Sequence, residues 1–209
     1  MNDFDTMAAT WEMDAIHHER TDAIARALRS IVPLSGDMRA LEVGCGTGLL
    51  SFALKDDLGT IVASDPSQGM LKVLEEKISG TGATNIRPLR TDDPGDAISS
   101  GPYHLVFSQM ALHHIPDVDG FLRSALSLLE PEGWLCVADL DSEDGSFHGP
   151  DVKDVHPGFD RSDLVDKTAT AGLEVVDIDT VFEMHRNVGG VDSAYPVFLL
   201  VARKPAVPR

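Results

Sequence analysis

Leu41-Glu42-Val43-Gly44-Cys45-Gly46-Thr47-Gly48 is the stretch that decides how this chain of 209 residues is read. Leu41 and Val43 are apolar and suit a strand buried on both faces, while Gly44, Gly46 and Gly48 allow positive φ and bring backbone amides close to a ligand. A strand running into a glycine loop is the start of a nucleotide cradle. The loop departs from the dinucleotide pattern in two ways: its spacing is G-x-G-x-G instead of G-x-G-x-x-G, and Glu42 stands two residues before the first glycine. A carboxylate beside a nest of amides repels a pyrophosphate and suits an ammonium or hydroxyl group. The loop by itself also reads as a tight turn between strand and helix, so the rest of the chain has to decide.

Downstream, the β-branched and apolar run 60–63 ends in Ser64-Asp65-Pro66-Ser67, and a helical period starts at Gln68. Asp65 therefore sits at the carboxyl end of a second strand. In an open parallel sheet the tips of neighbouring strands form the ligand crevice, where an acid accepts hydrogen bonds from ribose hydroxyls. Helical spacing recurs at Ile16, Ala23, Ile24, Ala27, Leu28 and Ile31, ending near Pro33. It returns at Met70, Leu71, Leu74 and Ile78, at Phe121, Leu122, Ala125, Leu126 and Leu129, and at Leu164, Val165 and Ala171. Strand-like runs cover 40–43, 60–64, 86–90, 103–108, 134–139, 173–180 and 197–202. The alternation predicts an α/β fold with a parallel sheet, helices on both faces and right-handed crossovers. Between Thr180 and Val197 there is no helical period, only Gly189-Gly190 and Pro196, so the last two strands are expected to pair antiparallel through a long hairpin. No repeat or linker divides the chain, which reads as one domain over 1–209 with 1–33 as an N-terminal helical extension; 145–158 is the candidate mobile loop.

Composition excludes several partners. With 34 acids against 17 bases and a net charge of −17, and with Lys and Arg scattered singly, the chain has no basic stripe for a nucleic acid. The acids read as a solvated surface. At 43% hydrophobic residues the chain can bury a sizeable core. No apolar run approaches the ~20 residues of a membrane span, and the first residues lack the basic and apolar regions of a signal peptide. Cys45 and Cys136 suggest small residues in a reducing compartment, so a cytoplasmic location is expected; the oligomeric state is not legible.

Five motifs in order resemble the class I S-adenosylmethionine-dependent methyltransferases of the small-molecule group. Leu41 to Gly48 resembles the first motif, and Asp65, Pro66, Ser67, Gly69 and Met70 resemble the second. Thr91-Asp92 resembles the third, although Asp92-Asp93-Pro94 stands where relatives have Asp-Ala, which leaves open which acid meets the adenine. The run 103–114 resembles the fourth, and 129–135 resembles the turn into the fifth strand, with Glu132 in the place of a glycine. The resemblance implies a doubly wound, Rossmann-like, seven-stranded and mostly parallel sheet with an antiparallel C-terminal hairpin and helices on both faces. It implies S-adenosylmethionine as cofactor and S-adenosylhomocysteine as product. The cofactor residues it implies are Glu42, Gly44, Cys45, Gly46, Thr47, Gly48, Asp65, Pro66, Ser67, Met70, Thr91, Asp92, Asp93, Ser108, Gln109 and Met110. Phe4-Asp5-x-x-Ala8-x-x-Trp11 resembles the N-terminal lid of relatives, which would add Trp11; Trp11 reads equally as a packing residue.

Ligands bind at the carboxyl ends of parallel strands, which directs attention to 108–114, 139–148 and 182–195. Methyl transfer needs an acceptor held in line at about 3 Å, and a hydroxyl or protonated amine must also lose a proton, for which a neutral imidazole is suited near pH 7. His113 and His114 are the candidate bases, with a structural or cofactor-backing role as the alternative. Asp139, Asp141, His148, His185, Arg186 and Tyr195 are candidates for the substrate pocket, Arg186 pairing either with a substrate carboxylate or with a surface acid. Asp139 and Asp141, even with His148, His156 or His185, lack diagnostic ligand spacing, so no metal is expected. The expected activity is methyl transfer to a hydroxyl, amine or thiol of a small metabolite. A non-catalytic S-adenosylmethionine-binding module is the alternative, and a nicotinamide-dependent oxidoreductase is disfavoured by Glu42 and the glycine spacing.

Overall fold

The structure is a computed structural model that describes residues 3–91, 101–148, 155–188 and 190–206. A short helix α1 (Asp3–Met7) and a 3-10 turn (Ala8–Met13) precede α2 (Ala15–Ile31). There follow β1 (Arg39–Val43), α3 (Leu49–Leu54), β2 (Thr60–Asp65), α4 (Gln68–Thr81), β3 (Ile86–Arg90) and β4 (Tyr103–Gln109). A 3-10 turn (Leu112–His114) leads to α5 (Val118–Leu128), β5 (Leu129–Leu140), α6 (Arg161–Thr170), β6 (Glu174–Val188) and β7 (Val191–Arg203). The seven strands form one sheet in the order β3-β2-β1-β4-β5-β7-β6. β1 to β5 are parallel, and β7 pairs antiparallel with both β5 and β6. Strand order reverses between β1 and β4, and the crevice outside their carboxyl ends is where such a sheet receives a ligand.

Alternation along the strands builds two cores. Ala40, Ile61, Ala63, Leu105 and Phe107 face Ile24 and Leu28 of α2, Leu50 and Leu54 of α3 and Leu71 and Leu74 of α4. Leu41, Val43, Val106, Leu135 and Val137 point the other way, against Phe121, Leu122 and Ala125 of α5 and Leu164 of α6. Asp14, Ser67, Asp117 and Asp160 cap α2, α4, α5 and α6 through side-chain oxygens that accept backbone N–H groups. Among the described residues no helix is long and apolar enough to cross a membrane.

Two boundaries differ from the sequence reading. The expected hairpin connection is itself strand: β6 and β7 stay paired from Glu174↔Arg203 out to Val188↔Val191. Apolar and polar residues alternate from Phe182 to His185, and the turn is stabilised by the Gly190 N–H donating to Asn187 Oδ1 at 3.1 Å. Gly189-Gly190 and Pro196 hid this, because they are also loop residues. β5 starts at Leu129 instead of Trp134, with a register shift opposite Tyr103 to Leu105. At that shift Glu132 takes φ +65°, the conformation suited to the glycine it replaces. Its strain is partly offset by Arg203, which donates to the Glu132 carbonyl and carboxylate at 3.1 and 3.0 Å. Of the loop 145–158, residues 149–154 lie outside the described residues. Its far end is tied down, since the His156 N–H donates to the His113 carbonyl at 2.8 Å.

Candidate functional site

The first half of the site is the loop after β1. Gly44, Gly46 and Gly48 all have positive φ, between +53° and +78°. A Cβ on Gly44 would lie 2.3 Å from Ala111 Cβ, and one on Gly48 2.5 Å from a methyl of Leu74, so neighbours also demand glycine at both positions. Asp65, at the tip of β2, fastens the loop: its Oδ2 accepts the Gly46 N–H and its Oδ1 the Ser67 N–H, both at 2.8 Å. Burial raises its pKa against the lowering effect of those two amides. The hydroxyl of Ser67 accepts the Met70 N–H at 3.1 Å, and Met70 is buried beneath the loop.

Glu42 is buried between Ala63 and Phe107 in the sheet register, and Ser51 of α3 donates a hydrogen bond to its Oε2. Desolvation pushes its pKa up to about 8. A cation brought near such a carboxyl would favour its ionised form. Cys45 is buried, and burial raises its thiol far above the usual range, so it is a small packing residue and not a nucleophile. Thr47 Oγ1 is buried without a partner. Thr91 follows β3, its N–H 3.4 Å from the Asp65 carbonyl, while Asp92 and Asp93 lie outside the described residues. Pro66 is exposed beside the crevice.

The N-terminal segment crosses this half. Asp5 Oδ1 accepts the Ser67 hydroxyl at 2.6 Å and the Gly69 N–H at 2.7 Å. Lys77 Nζ bridges Glu12 at 2.6 Å and the Thr47 carbonyl at 3.1 Å, linking the segment to the glycine loop itself. Trp11 stacks on His17 at 4.4 Å between ring centroids, and His17 Nδ1 bonds the Trp11 carbonyl at 2.8 Å. Phe4 meets both Trp11 and His114 edge-on. Trp11 is thus packed and part of the covering segment at once.

The second half lies past β4 and β5. The hydroxyl of Ser108 is spent on the Val43 carbonyl at 2.9 Å, joining β4 to β1 instead of facing a ligand. Gln109 donates to Thr21 Oγ1 at 2.9 Å, leaving its own Oε1 buried and unpartnered. Met110 takes φ +53° as the chain turns out of the strand. His113 is 1% exposed and its Nδ1 lies 2.6 Å from Asp139 Oδ1; Asp139 also accepts the backbone N–H groups of His113 and Leu140. A proton on Nδ1 shared with that carboxylate leaves Nε2 as a lone pair. His114 and His148 pack beside it, with ring centroids 4.2 to 5.2 Å apart. Desolvation and the neighbouring imidazoles lower His114 to about 3, and desolvation with His113 and Arg186 lowers His148 to about 4, so both rings are neutral at pH 7. One ligand atom from each of the three histidines lies within 4.8 Å of the others, a grouping that the spacing of the sequence did not announce.

Arg20 of α2 was not a sequence candidate. It is 4% exposed, and among the described residues its Nε has no partner and its NH1 reaches the sulfur of Met184 at 3.6 Å. Among the described residues no carboxylate forms an ion pair with it, and burial lowers it to about 10. The available signal was a charged residue at the fourth position after Ile16 on an otherwise apolar helix stripe. Asp5, Glu12 and Lys77 were also missed, because nothing local marks partners more than sixty residues apart.

Other candidates are placed elsewhere. Asp141 is held by Arg161 at 2.6 and 2.7 Å and stands outside the cluster. His185 faces solvent on β6, 3.1 Å from Glu183, and His156 bonds the Ile115 carbonyl. Tyr195 is buried, its hydroxyl 2.6 Å from Ser146 Oγ and its ring against Phe147, so it backs the pocket wall. Arg186 donates to the Phe147 carbonyl at 2.7 Å and lies over the Phe147 ring at 4.1 Å; among the described residues it forms no ion pair with an acid.

A family model described as a methyltransferase domain matches residues 41–135. An uncharacterized methyltransferase of Schizosaccharomyces pombe is 36% identical over 127 residues, covering 57% of this chain and 43% of that protein. A ubiquinone biosynthesis O-methyltransferase of Bordetella avium is 28% identical over 157 residues, covering 70% of this chain and 63% of that protein. The chain spans about half the length of the curated relatives it matches. A solved S-adenosylmethionine-dependent methyltransferase from Aquifex aeolicus has a TM-score of 0.65 at 19% identity over 86% of this chain and 88% of that one, a likeness of fold.

Proposed function

We propose that the chain is a class I S-adenosylmethionine-dependent methyltransferase, on the methyltransferase-domain match over 41–135 and a fold shared with a solved methyltransferase, and that it transfers a methyl group to a small metabolite bearing an anionic group, releasing S-adenosylhomocysteine. The observation that carries the reading is the glycine loop fastened to Asp65 above the buried Glu42. Both Asp65 oxygens keep a lone pair for ribose hydroxyls, and Glu42 beneath the loop suits the cofactor's ammonium. Ser67 and Met70 flank the adenosine side, and Trp11 with Phe4 covers the crevice. A sulfonium supplies an electrophilic methyl group when bound, so the residues' task is to hold the acceptor in line and shed its proton.

His113, His114 and His148 meet the acceptor's nucleophilic atom. Ala111, which packs against Gly44, lies two residues ahead of His113, so cofactor loop and imidazole cluster share one wall. Arg20 and Arg186 supply the positive charge that an acceptor carboxylate or similar anion needs, Arg20 through its unpartnered Nε. The acceptor atom is a hydroxyl oxygen in this reading, consistent with the O-methyltransferase among the relatives.

Calorimetry with S-adenosylmethionine, S-adenosylhomocysteine and NAD tests the cofactor. Binding of the first two and not the third is expected, and Asp65→Ala is expected to weaken both by about 100-fold, since two buried amides and the ribose lose an acceptor. Preferential NAD binding overturns the reading. A screen of hydroxylated carboxylic acids for S-adenosylhomocysteine production then tests catalysis; cofactor binding without turnover on any acceptor supports the non-catalytic alternative.

A further inference from the structure

We propose that His113, His114 and His148 form a three-imidazole site for a first-row transition-metal dication of the Zn2+ class, whose open fourth position takes the acceptor's hydroxyl oxygen. The inference rests on the methyl-transfer reading and deepens it. Three observations carry it. First, one nitrogen from each ring lies within 4.8 Å of the others, contributed by two strand tips that the sheet brings side by side. A tetrahedral site with ~2.0 Å metal–nitrogen bonds has edges of about 3.3 Å, so the rings need only close inward, which the half-buried His114 and His148 can do by torsion.

Second, His148 Nε2 is buried with no hydrogen-bond partner among the described residues, although the ring packs against two other imidazoles. A buried lone pair without a donor costs stability unless something fills it. Third, Asp139 is 0% exposed and grips His113 Nδ1 at 2.6 Å while accepting two backbone amides. That is the carboxylate–histidine arrangement that fixes the tautomer and orientation of a metal-ligating imidazole, leaving Nε2 for the ion. Three nitrogen donors and no carboxylate oxygen select a transition metal over Mg2+ or Ca2+.

With an ion there, the acceptor hydroxyl binds at the fourth position and loses its proton to water at neutral pH, as metal-bound hydroxyls do. The oxygen then attacks the cofactor methyl group: the O–CH3 bond forms, the S–CH3 bond breaks, and its electron pair stays on sulfur as a neutral thioether. The reaction needs no further reactant. The imidazoles then serve as ligands and not as bases.

The full chain is dialysed against chelator, and Co2+, Zn2+ and Mg2+ are added separately while cofactor binding is followed by calorimetry. The expected result is one Co2+ per chain with the intense visible absorption of tetrahedral coordination, bleached by Zn2+ and untouched by Mg2+. His148→Ala and His114→Ala are each expected to weaken Co2+ by at least about 100-fold, beyond the 10–100-fold typical of losing a partner behind a ligand. Both variants are expected to keep the wild-type affinity for S-adenosylmethionine, which also reports that they fold. Normal cofactor binding with no Co2+ spectrum, or a spectrum indifferent to both substitutions, overturns the metal site and leaves methyl transfer standing. Failure of the metal-free wild type to bind S-adenosylmethionine overturns the reading beneath it.

Discussion

The two halves of the crevice are built in opposite ways. The cofactor half comes from residues 42 to 70, two consecutive strand–loop–helix turns, and nearly every polar group in it is already paired: Asp65 with two amides, Glu42 with Ser51, Ser67 with Met70. The acceptor half is gathered from α2, the tips of β4 and β5 and the hairpin. Of the four buried unpartnered side-chain polar atoms among the described residues, three belong to it: Arg20 Nε, Gln109 Oε1 and His148 Nε2. A preorganised donor site is compatible with tight internal satisfaction, because a cofactor in the proposed site would use lone pairs and amides at its edge. A recognition site has to hold groups in reserve for an absent partner, at a cost of about 1–3 kcal/mol for each buried group left unmet. The contrast predicts that substitutions in the first half damage the fold or the cofactor, and substitutions in the second half damage the acceptor while sparing both.

Gly44→Val is the largest expected effect. Its methyl groups would enter Ala111, already 2.3 Å from an idealised Cβ, and a β-branched residue would have to hold φ +69°. Overpacking and left-handed strain together amount to about 3 kcal/mol or more. Urea denaturation is expected to show that loss together with loss of S-adenosylmethionine binding. Gly80→Ala, on α4 with nothing within 4 Å, is the control and is expected to stabilise by about 0.5–1 kcal/mol. Equal behaviour of the two substitutions would remove the claim that the loop is fixed by its neighbours.

Arg20→Met tests the other half. Removing a charge-assisted contact with an anionic acceptor is expected to raise KM by about 10–100-fold. The affinity for S-adenosylmethionine is expected to stay within about twofold. Because an unpaired guanidinium held at about 10 is costly to bury, the same variant is expected to be more stable than the wild type by about 1 kcal/mol. Gain of stability with loss of acceptor affinity sharpens the contrast between the halves. Loss of stability with unchanged KM would make Arg20 a packing residue.

That contrast also explains what the sequence made legible. The alternation of periods of two and 3.6 located all seven strands, and β3 matched residue for residue, because each pattern is written within a dozen neighbouring residues. Glu42 and Asp65 were readable because each stands at a strand tip beside a glycine or turn residue written within a few neighbouring positions. The 2.9 Å bond from the Ser108 hydroxyl to the Val43 carbonyl was not legible, because it spans sixty-five residues of register that no local pattern encodes. Asp141 and Asp139 look alike in sequence, yet Arg161 takes one and His113 the other. The extents of the hairpin and of β5 were both underestimated, since glycine and proline mark loops and tight strand turns alike.

The smallest expected effect separates the halves by protons. Glu42, pushed up to about 8 by burial, carries a proton in the free protein at pH 7. A bound ammonium favours the carboxylate, so cofactor binding must expel that proton, and affinity rises with pH until the free carboxyl has ionised. About tenfold tighter binding at pH 9 than at pH 7 is expected, with close to one proton released at pH 7 in calorimetry across buffers of different ionisation enthalpy. Stability runs the other way. A carboxyl whose folded pKa lies above its unfolded one favours the fold most below the unfolded value near 4.5 and loses that contribution as pH climbs through 8. The cofactor-saturated protein escapes this loss, so the gap in melting temperature between saturated and free protein is expected to widen from pH 7 to 9. Glu42→Gln is expected to abolish both trends. A pH dependence that survives in that variant would place the titrating group in the other half, among the histidines, and dissolve the division between a satisfied donor site and a poised acceptor site.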